Sequence, residues 1–310
     1  MTKIDLTGRV GIVTGAGRGL GRSYALLLAE RGAAVVVNDV DDAEVDAVVS
    51  EIEGLGGRAV RATDSVATPE GGAAIVETAL AAFGQVDLLV HNAGIVFPER
   101  FADQPIEQVR QTLNVHLLGA WHVGQPAWRN MIARGYGRVV LTSSMAQFGH
   151  FRQTAYGAAK AGLIGLAKSL AHDAEDQGLD IKVNAICPLA GTRLALPAAK
   201  EAWGDLMAPA NVAAVVGYLL SGECPVNGQI IHAGGSHVAR GVLGQTPGWY
   251  SGKPGLTPED VRDHWAEAMA MAPTDLILPS SAADQMQIVE RTVLGHVVPP
   301  TAVHPLEQVK

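Results

Sequence analysis

Short apolar runs alternate with longer stretches of helical periodicity through the first three quarters of the chain. Candidate strands are Val10–Thr14, Ala34–Asn38, Arg58–Thr63, Val86–His91, Arg138–Thr142, Lys182–Ile186 and Gln229–Ala233. Several are apolar at consecutive positions, which suits strands covered on both faces. Helical stretches lie between them, the longest being Pro105–Ala133 and Thr154–Ala174. Gly32, Gly84 and Gly178 stand where helices should stop. This alternation predicts a parallel sheet with crossover helices, an α/β doubly wound domain over residues 1–235.

Residues 236–310 read differently. They carry Pro247, Pro254, Pro258, Pro273, Pro279, Pro299, Pro300 and Pro305, and the strand–helix alternation is lost. Thr257-Pro258-Glu259-Asp260 has the form of an N-cap, a proline at the first helical position and acids in the first turn, predicting a helix to about Met271. The segment holds too little apolar sequence for a core of its own. It is expected to be an extension packed on the main domain or on a neighbouring subunit.

Composition narrows the picture. Of 310 residues, 48% are hydrophobic and 17% charged, enough for a large core. The balance of 23 basic and 31 acidic residues gives −8, which argues against nucleic-acid or anionic-membrane partners. Cys187 and Cys224 make no disulfide framework, no Cys/His pair has zinc spacing, and no metal is expected. With no secretory leader and no apolar run approaching membrane-spanning length, the expected setting is cytoplasmic.

The 36 glycines exceed a typical ~7% and show no collagen period. Several cluster after the first strand, in Thr14-Gly15-Ala16-Gly17-Arg18-Gly19-Leu20-Gly21, followed by the helical SYALLLAERG. Glycines there let the backbone turn sharply and approach a pyrophosphate, and the helix N-terminus offers free N–H groups. Gly15, Arg18, Gly19, Leu20 and Gly21 are therefore candidate cofactor contacts in a Rossmann-type domain. The second strand ends at Asp39, about 20 residues on, where a carboxylate can accept from ribose hydroxyls. That carboxylate would repel a 2′-phosphate and favours NAD, whereas Arg18 pulls towards NADP.

Tyr156 and Lys160 lie four apart at the start of a predicted helix, so both emerge on one face. A phenol near pKa 10 is a poor acid–base at neutral pH, and a nearby ammonium and a cationic nicotinamide ring would stabilise its phenolate. Y-x-x-x-K is common by chance. Its position after the fifth strand of a dinucleotide-binding pattern is what marks this pair.

With TGAGRGLG, HNAG at His91–Gly94, LNV at Leu113–Val115, TSS at Thr142–Ser144, YGAAK at Tyr156–Lys160 and NAICP at Asn184–Pro188, the chain resembles the short-chain dehydrogenase/reductase family. The resemblance implies a single doubly wound domain around a seven-stranded parallel sheet, usually a homotetramer or dimer. It implies that Tyr156 exchanges a proton with the substrate oxygen and that Lys160 binds the nicotinamide ribose and lowers the tyrosine pKa. Asn114 would hold a water in the proton relay, and a serine at the end of the fifth strand would hydrogen-bond the substrate oxygen. Asp64 would meet the adenine amine, with Asn92, Ala93 and Gly94 lining the cofactor.

Which serine is meant depends on the count. Thirteen residues back from Tyr156 stands Ser143, whereas aligning the strand GRVVLTSS selects Ser144. Strand geometry favours Ser144, since a one-residue slip turns a side chain to the other face; Ser143 remains the alternative. Pro188-Leu189-Ala190-Gly191-Thr192 replaces the family's proline-glycine turn, so a carboxamide contact for Thr192 does not carry over.

A narrower resemblance, in NVHLLGAWHVGQPAWRNMIARGYGRVVLTSS, CPLAGTR, ECPVNGQ and LTPEDVRDHW, is to the (3R)-hydroxyacyl-CoA dehydrogenase domains of peroxisomal multifunctional enzymes. It implies NAD and a bulky apolar secondary alcohol or its ketone, of hydroxysteroid or 3-hydroxyacyl-CoA type. The ending VHPLEQVK is not a peroxisomal signal of the SKL kind. Ser143, Gln147, His150, Phe151 and Leu189 are candidate substrate contacts, although His150 also reads as a loop histidine and Phe151 as packing. Trp121 and Trp128 read as core or subunit contacts. The function expected is NAD-dependent interconversion of an alcohol and a ketone. An NADPH-dependent carbonyl reductase and a non-catalytic dinucleotide-binding regulator are the alternatives.

Overall fold

The computed structural model describes residues 3–191, 204–252, 255–270, 276–279, 281 and 284. The chain divides into two compact units, Met1–Arg240 and Gly241–Lys310. In the first, the apolar runs form strands β1 (Val10–Thr14), β2 (Ala34–Asn38), β3 (Arg58–Ala62), β4 (Leu88–His91), β5 (Gly137–Thr142), β6 (Ile181–Leu189) and β7 (Ile230–Gly234), with β8 (His237–Gly241) at the edge. The sheet order is β3-β2-β1-β4-β5-β6-β7-β8, and every pairing from β3 to β7 is parallel. Eight strands stand where seven were expected. The eighth, HVARG, is largely exposed and carries no apolar run that would reveal it.

Side chains along each strand alternate between the two faces. Val36 of β2 and Leu89 of β4 enter one core, with residues of α3 (Pro69–Phe83), α5 (Gly119–Arg134) and α6 (Thr154–Asp176). Their neighbours Val35, Val37, Leu88 and Val90 enter the other, with α1 (Gly19–Glu30), α2 (Asp42–Gly54) and α7 (Pro209–Leu219). The helices present apolar residues at helical spacing, such as Val45, Val48 and Ile52 of α2, all buried. Each such side chain contributes roughly 1.5–3 kcal/mol of burial, which fixes the three-layer sandwich.

Local chemistry sets the helix ends. Thr68 accepts from the Gly71 N–H ahead of Pro69, and Gly84, at φ +77°, closes α3 in the left-handed region. The long helix expected over Pro105–Ala133 is interrupted: α4 (Ile106–Leu113) passes through a π-helical turn, Asn114–Leu118, into α5.

In the second unit, α8 (Pro258–Asp263) opens with the expected cap, a reciprocal box between Thr257 and Asp260. It stops at His264, and a short α9 (Trp265–Ala268) follows, so the single helix expected is two. Met271, its expected end, lies outside the described residues.

The site follows from the strand order. β1 pairs with β2 on one side and β4 on the other, so the connections leaving β1 and β4 run to opposite sides. They open a crevice beyond the carboxyl ends of these strands, where doubly wound sheets bind their ligands.

Candidate active site

The glycine-rich turn sits at that crevice. Gly15 and Gly19 have φ of +63° and +56°, a region open to glycine, and the N-cap of α1, Arg18, makes no side-chain cap bond. The helix therefore presents its first N–H groups uncapped by a side chain. A Cβ on Gly21 would lie 2.0 Å from the Gly15 carbonyl oxygen, so only glycine permits this approach. This cradle fits a pyrophosphate.

Asp39, just past β2, accepts from the Gly17 N–H at 3.2 Å and the Val40 N–H at 2.8 Å, which fixes its carboxylate beside the turn. Arg18 is paired with Glu44 at 3.4 Å. Its charge is thereby opposed in place. Asp64 is exposed, and its carbonyl accepts from the Asn38 side chain at 2.9 Å.

Asn92 ties the end of β4 to the turn, donating from Nδ2 to the Thr14 and Gly15 carbonyls at 3.2 and 3.1 Å. The Thr14 hydroxyl accepts from the Asn92 and Ala93 N–H groups at 3.0 and 3.1 Å. The segment Asn92–Gly94 is thus locked against the first residues of the glycine turn.

The end of β5 and the start of α6 bring Ser144, Tyr156 and Lys160 together. The Ser144 hydroxyl lies near enough to the Tyr156 phenol to act on its ionisation, and the Lys160 Nζ lies 5.5 Å from the phenol ring centroid. Lys160 is buried and donates to the Thr142 carbonyl at 2.5 Å. Ser144 also caps a 3-10 turn, Met145–Phe148, accepting from the Ala146 N–H at 3.1 Å. Ser143 points elsewhere, donating at 2.7 Å to the backbone carbonyl of Lys160. The two serines face apart, as adjacent residues leaving a strand must.

Burial governs the ionisation of this cluster. It pushes the Tyr156 phenol above its usual value, an effect the nearby Ser144 hydroxyl opposes. It brings the Lys160 ammonium down to about 7. Desolvation is the largest influence on both groups.

Asn114 opens the π-turn, and its carbonyl accepts from the Gly119 N–H. Single π-turns inside α-helices are frequent at functional sites.

Of the candidate substrate contacts, Gln147 donates to the Cys187 Sγ at 3.1 Å, which ties the 3-10 turn to β6. His150 and Phe151 are exposed and stacked on each other, ring centroids 4.8 Å apart. The His150 Nδ1 lies 2.9 Å from the Phe151 carbonyl. Leu189 ends β6, and Thr192 lies outside the described residues. Phe148, not singled out in the sequence, is exposed and stacks on His232 of β7 at 5.7 Å. With Phe151 and Met145 it gives this rim an apolar surface.

Two buried histidines also escaped the sequence reading, although both lie in quoted motifs. His91 ends β4, its Nδ1 3.3 Å from the Thr14 hydroxyl and its Nε2 3.0 Å from the His116 carbonyl. His116 lies in the π-turn and meets the Tyr156 ring edge-on, centroids 5.1 Å apart and planes at 85°. Burial, then the Lys160 charge, brings His91 down to about 4 and His116 well below its ordinary value. Both imidazoles are neutral at pH 7. Among the described residues no group of three metal-ligating side chains converges, and no helix is long and apolar enough to cross a membrane.

Comparison with known proteins points the same way. The pattern of the family described as short chain dehydrogenase matches residues 9–197. A Mycobacterium tuberculosis protein described as a short-chain type dehydrogenase/reductase is 44% identical over 269 residues, covering 84% of this chain and 93% of that protein. The full-length peroxisomal multifunctional enzyme type 2 of Drosophila melanogaster superposes with a TM-score of 0.79 at 33% identity, covering 94% of this chain. The chain spans 50% of that longer protein. A 7α-hydroxysteroid dehydrogenase, solved with NADH and 7-oxo glycochenodeoxycholic acid, superposes with a TM-score of 0.70 at 29% identity over 76% of this chain and 97% of its own.

Proposed function

The chain belongs to the short-chain dehydrogenase family of oxidoreductases, and on that premise we propose that it interconverts a bulky apolar secondary alcohol and its ketone with NAD. The observation that carries the reading is the junction of Ser144, Tyr156 and Lys160 beside the glycine-turn crevice. When bound, NAD supplies the hydride acceptor at its nicotinamide ring. The uncapped start of α1 and the Gly15–Gly21 cradle would hold its pyrophosphate, Asp39 its adenosine ribose and Asn92–Gly94 the next part of the crevice. Asp64 would take the adenine amine.

In the oxidative direction Ser144 donates to the substrate oxygen and fixes it against the Tyr156 hydroxyl. Tyr156 as phenolate accepts the hydroxyl proton from that oxygen, and in the reductive direction returns it. Lys160 holds the nicotinamide ribose, and its charge stabilises the phenolate. The water that returns the proton to solvent is placed at Asn114.

NAD rather than NADP is favoured because the Asp39 carboxylate, held beside the glycine turn, would repel a 2′-phosphate, and because Arg18 is already paired with Glu44 at 3.4 Å. The apolar rim of Met145, Phe148 and Phe151 supports a large apolar substrate. So do the bile-acid ligand named for the hydroxysteroid dehydrogenase and the likeness to multifunctional-enzyme dehydrogenase domains. A homo-oligomeric assembly belongs to the same proposal and is supported by Ile106, Leu118 and Trp121, exposed along α4, the π-turn and α5. A cytoplasmic setting rests on the two free cysteines, Cys187 and Cys224.

The test is the initial rate with NAD, then NADP, on hydroxysteroids, 3-hydroxyacyl-CoA thioesters and simple aryl alcohols. A clear preference for steroids or thioesters with NAD is expected. Faster rates with NADP would favour a carbonyl reductase, and NAD binding without turnover would favour a regulator.

A further inference from the structure

His116 is buried under the site and belongs to none of the roles above. Its Nε2 lies 3.0 Å from the Ile95 N–H and 2.7 Å from the Ile95 carbonyl, so whichever tautomer is present bonds that peptide. Its Nδ1 is buried without a partner. A buried imidazole nitrogen left unsatisfied is costly, and a phenylalanine in its place would avoid that cost. The ring is held by its surroundings on three sides. Tyr156 meets it edge-on at 5.1 Å. Gly94 lies so close that a Cβ there would come within 2.4 Å of the His116 Cε1. Its own carbonyl is 3.0 Å from the His91 Nε2.

The proton positions on His91 follow from its partners. The Thr14 hydroxyl already accepts from two N–H groups, and its own proton is free for the His91 Nδ1 at 3.3 Å. Nε2 of His91 then carries the hydrogen and donates to the His116 carbonyl. One hydrogen-bonded chain therefore runs from Thr14 at the glycine turn through His91 to the π-turn that bears Asn114. Beyond it, the His116 ring bonds the Ile95 backbone through Nε2 and meets the Tyr156 ring by a ring contact.

We propose that His116 is a positioning residue: it sets the spacing between the Tyr156 phenol and the Gly94–Ile95 backbone, with His91 as its support. The inference rests on the function proposed for Tyr156. It assigns His116 no proton transfer of its own. A displacement of about 1 Å in a reacting group can cost on the order of 10²-fold in rate.

Two substitutions separate the parts of this role. His116→Gln can still bond both the N–H and the carbonyl of Ile95 but loses the ring contact with Tyr156. His116→Phe keeps the ring and loses the bond; His116→Ala loses both. With the best alcohol of the substrate panel, kcat of the alanine variant is expected to fall ~10–100-fold. KM, and the NAD Kd from protein fluorescence, should stay within ~3-fold. The glutamine and phenylalanine variants should each retain part of the rate, and the solvent deuterium isotope effect on kcat should rise as proton transfer becomes limiting.

If only the melting temperature falls while kcat and the isotope effect match wild type, His116 is a packing residue and the proposal is wrong. A raised KM or Kd at full kcat would overturn it too, by making His116 a binding element. Should the glutamine and phenylalanine variants fold and the alanine variant not, the first two decide the matter. A wild-type protein that turns over nothing on the panel would overturn the proposed function and this inference together, and is distinct from an active wild type matched by its variants.

Discussion

Adjacent serines at the end of β5 give the sharpest test of how the site is built. Ser144 acts on the Tyr156 phenol, whereas Ser143 donates at 2.7 Å to the Lys160 carbonyl inside α6. Replacing Ser144 by alanine removes a donor aimed at the reacting oxygen, a loss worth roughly 10²–10³-fold in kcat. It should change stability little, because Ser144 is half-buried and its other bond caps only a short turn. Replacing Ser143 by alanine removes one buried hydrogen bond, a net cost of about 1 kcal/mol. For a domain of this size that corresponds to a fall of ~2–4 °C in melting temperature. The carbonyl concerned belongs to Lys160 itself, so a modest loss of rate, within ~5-fold, would still be consistent with structural support. Steady-state rates and scanning calorimetry on the two variants give a double dissociation. The reasoning fails if Ser143→Ala abolishes turnover at unchanged melting temperature while Ser144→Ala turns over normally.

Three further outcomes follow from the same geometry. Tyr156→Phe should lose ~10²-fold or more of turnover while still binding NAD in titration calorimetry; near-wild-type turnover would remove Tyr156 from the chemistry. Asp39→Asn should move the ratio of kcat/KM for NAD against NADP towards NADP, and an unmoved ratio would show that Asp39 is not the selector. Lys160, at about 7 when folded and 10.5 as a free side chain, weakens the cofactor-free fold below pH 7 and relaxes as pH rises through that window. Lys160→Met should therefore melt several degrees above wild type at pH 6, with the gap narrowing towards pH 10; a gap independent of pH would refute it.

The sheet was legible because its central strands are buried on both faces and its helices repeat at helical spacing, so pattern and packing agree. The seven runs picked out by apolarity are all strands, and β8 was missed because an exposed edge strand such as HVARG has no such pattern. The π-turn at Asn114–Leu118 was not legible either: NVHLL reads as ordinary helix, and one extra residue per turn leaves no mark in periodicity. In the second unit, the capping box at Thr257 and Asp260 could be read from four residues. The stop at His264 could not, since no glycine or proline announces it. Candidate site residues were legible where a motif is local, as in YGAAK. Thr14, His91 and His116 lie inside quoted motifs, but their meeting depends on β1, β4 and the π-turn coming together in the fold, which no short spacing expresses.

That meeting also explains why the cluster is costly to hold. Burial pushes Tyr156 up, Lys160 down to about 7, His91 down to about 4 and His116 well below its ordinary value. All four shifts favour the uncharged form, so burial opposes the phenolate–ammonium pair that proton abstraction requires. Water would relieve that opposition but would also loosen the phenol. The protein instead sets fixed groups around the pair: the Ser144 hydroxyl, the Thr142 carbonyl on Lys160 and the His116 imidazole against the Tyr156 ring. Fixed dipoles need no reorganisation when charge develops, which is how a preorganised site lowers a barrier. Burial and the Lys160 charge hold both histidines towards the neutral form, which leaves stabilisation of the proposed phenolate to Lys160 and these fixed groups.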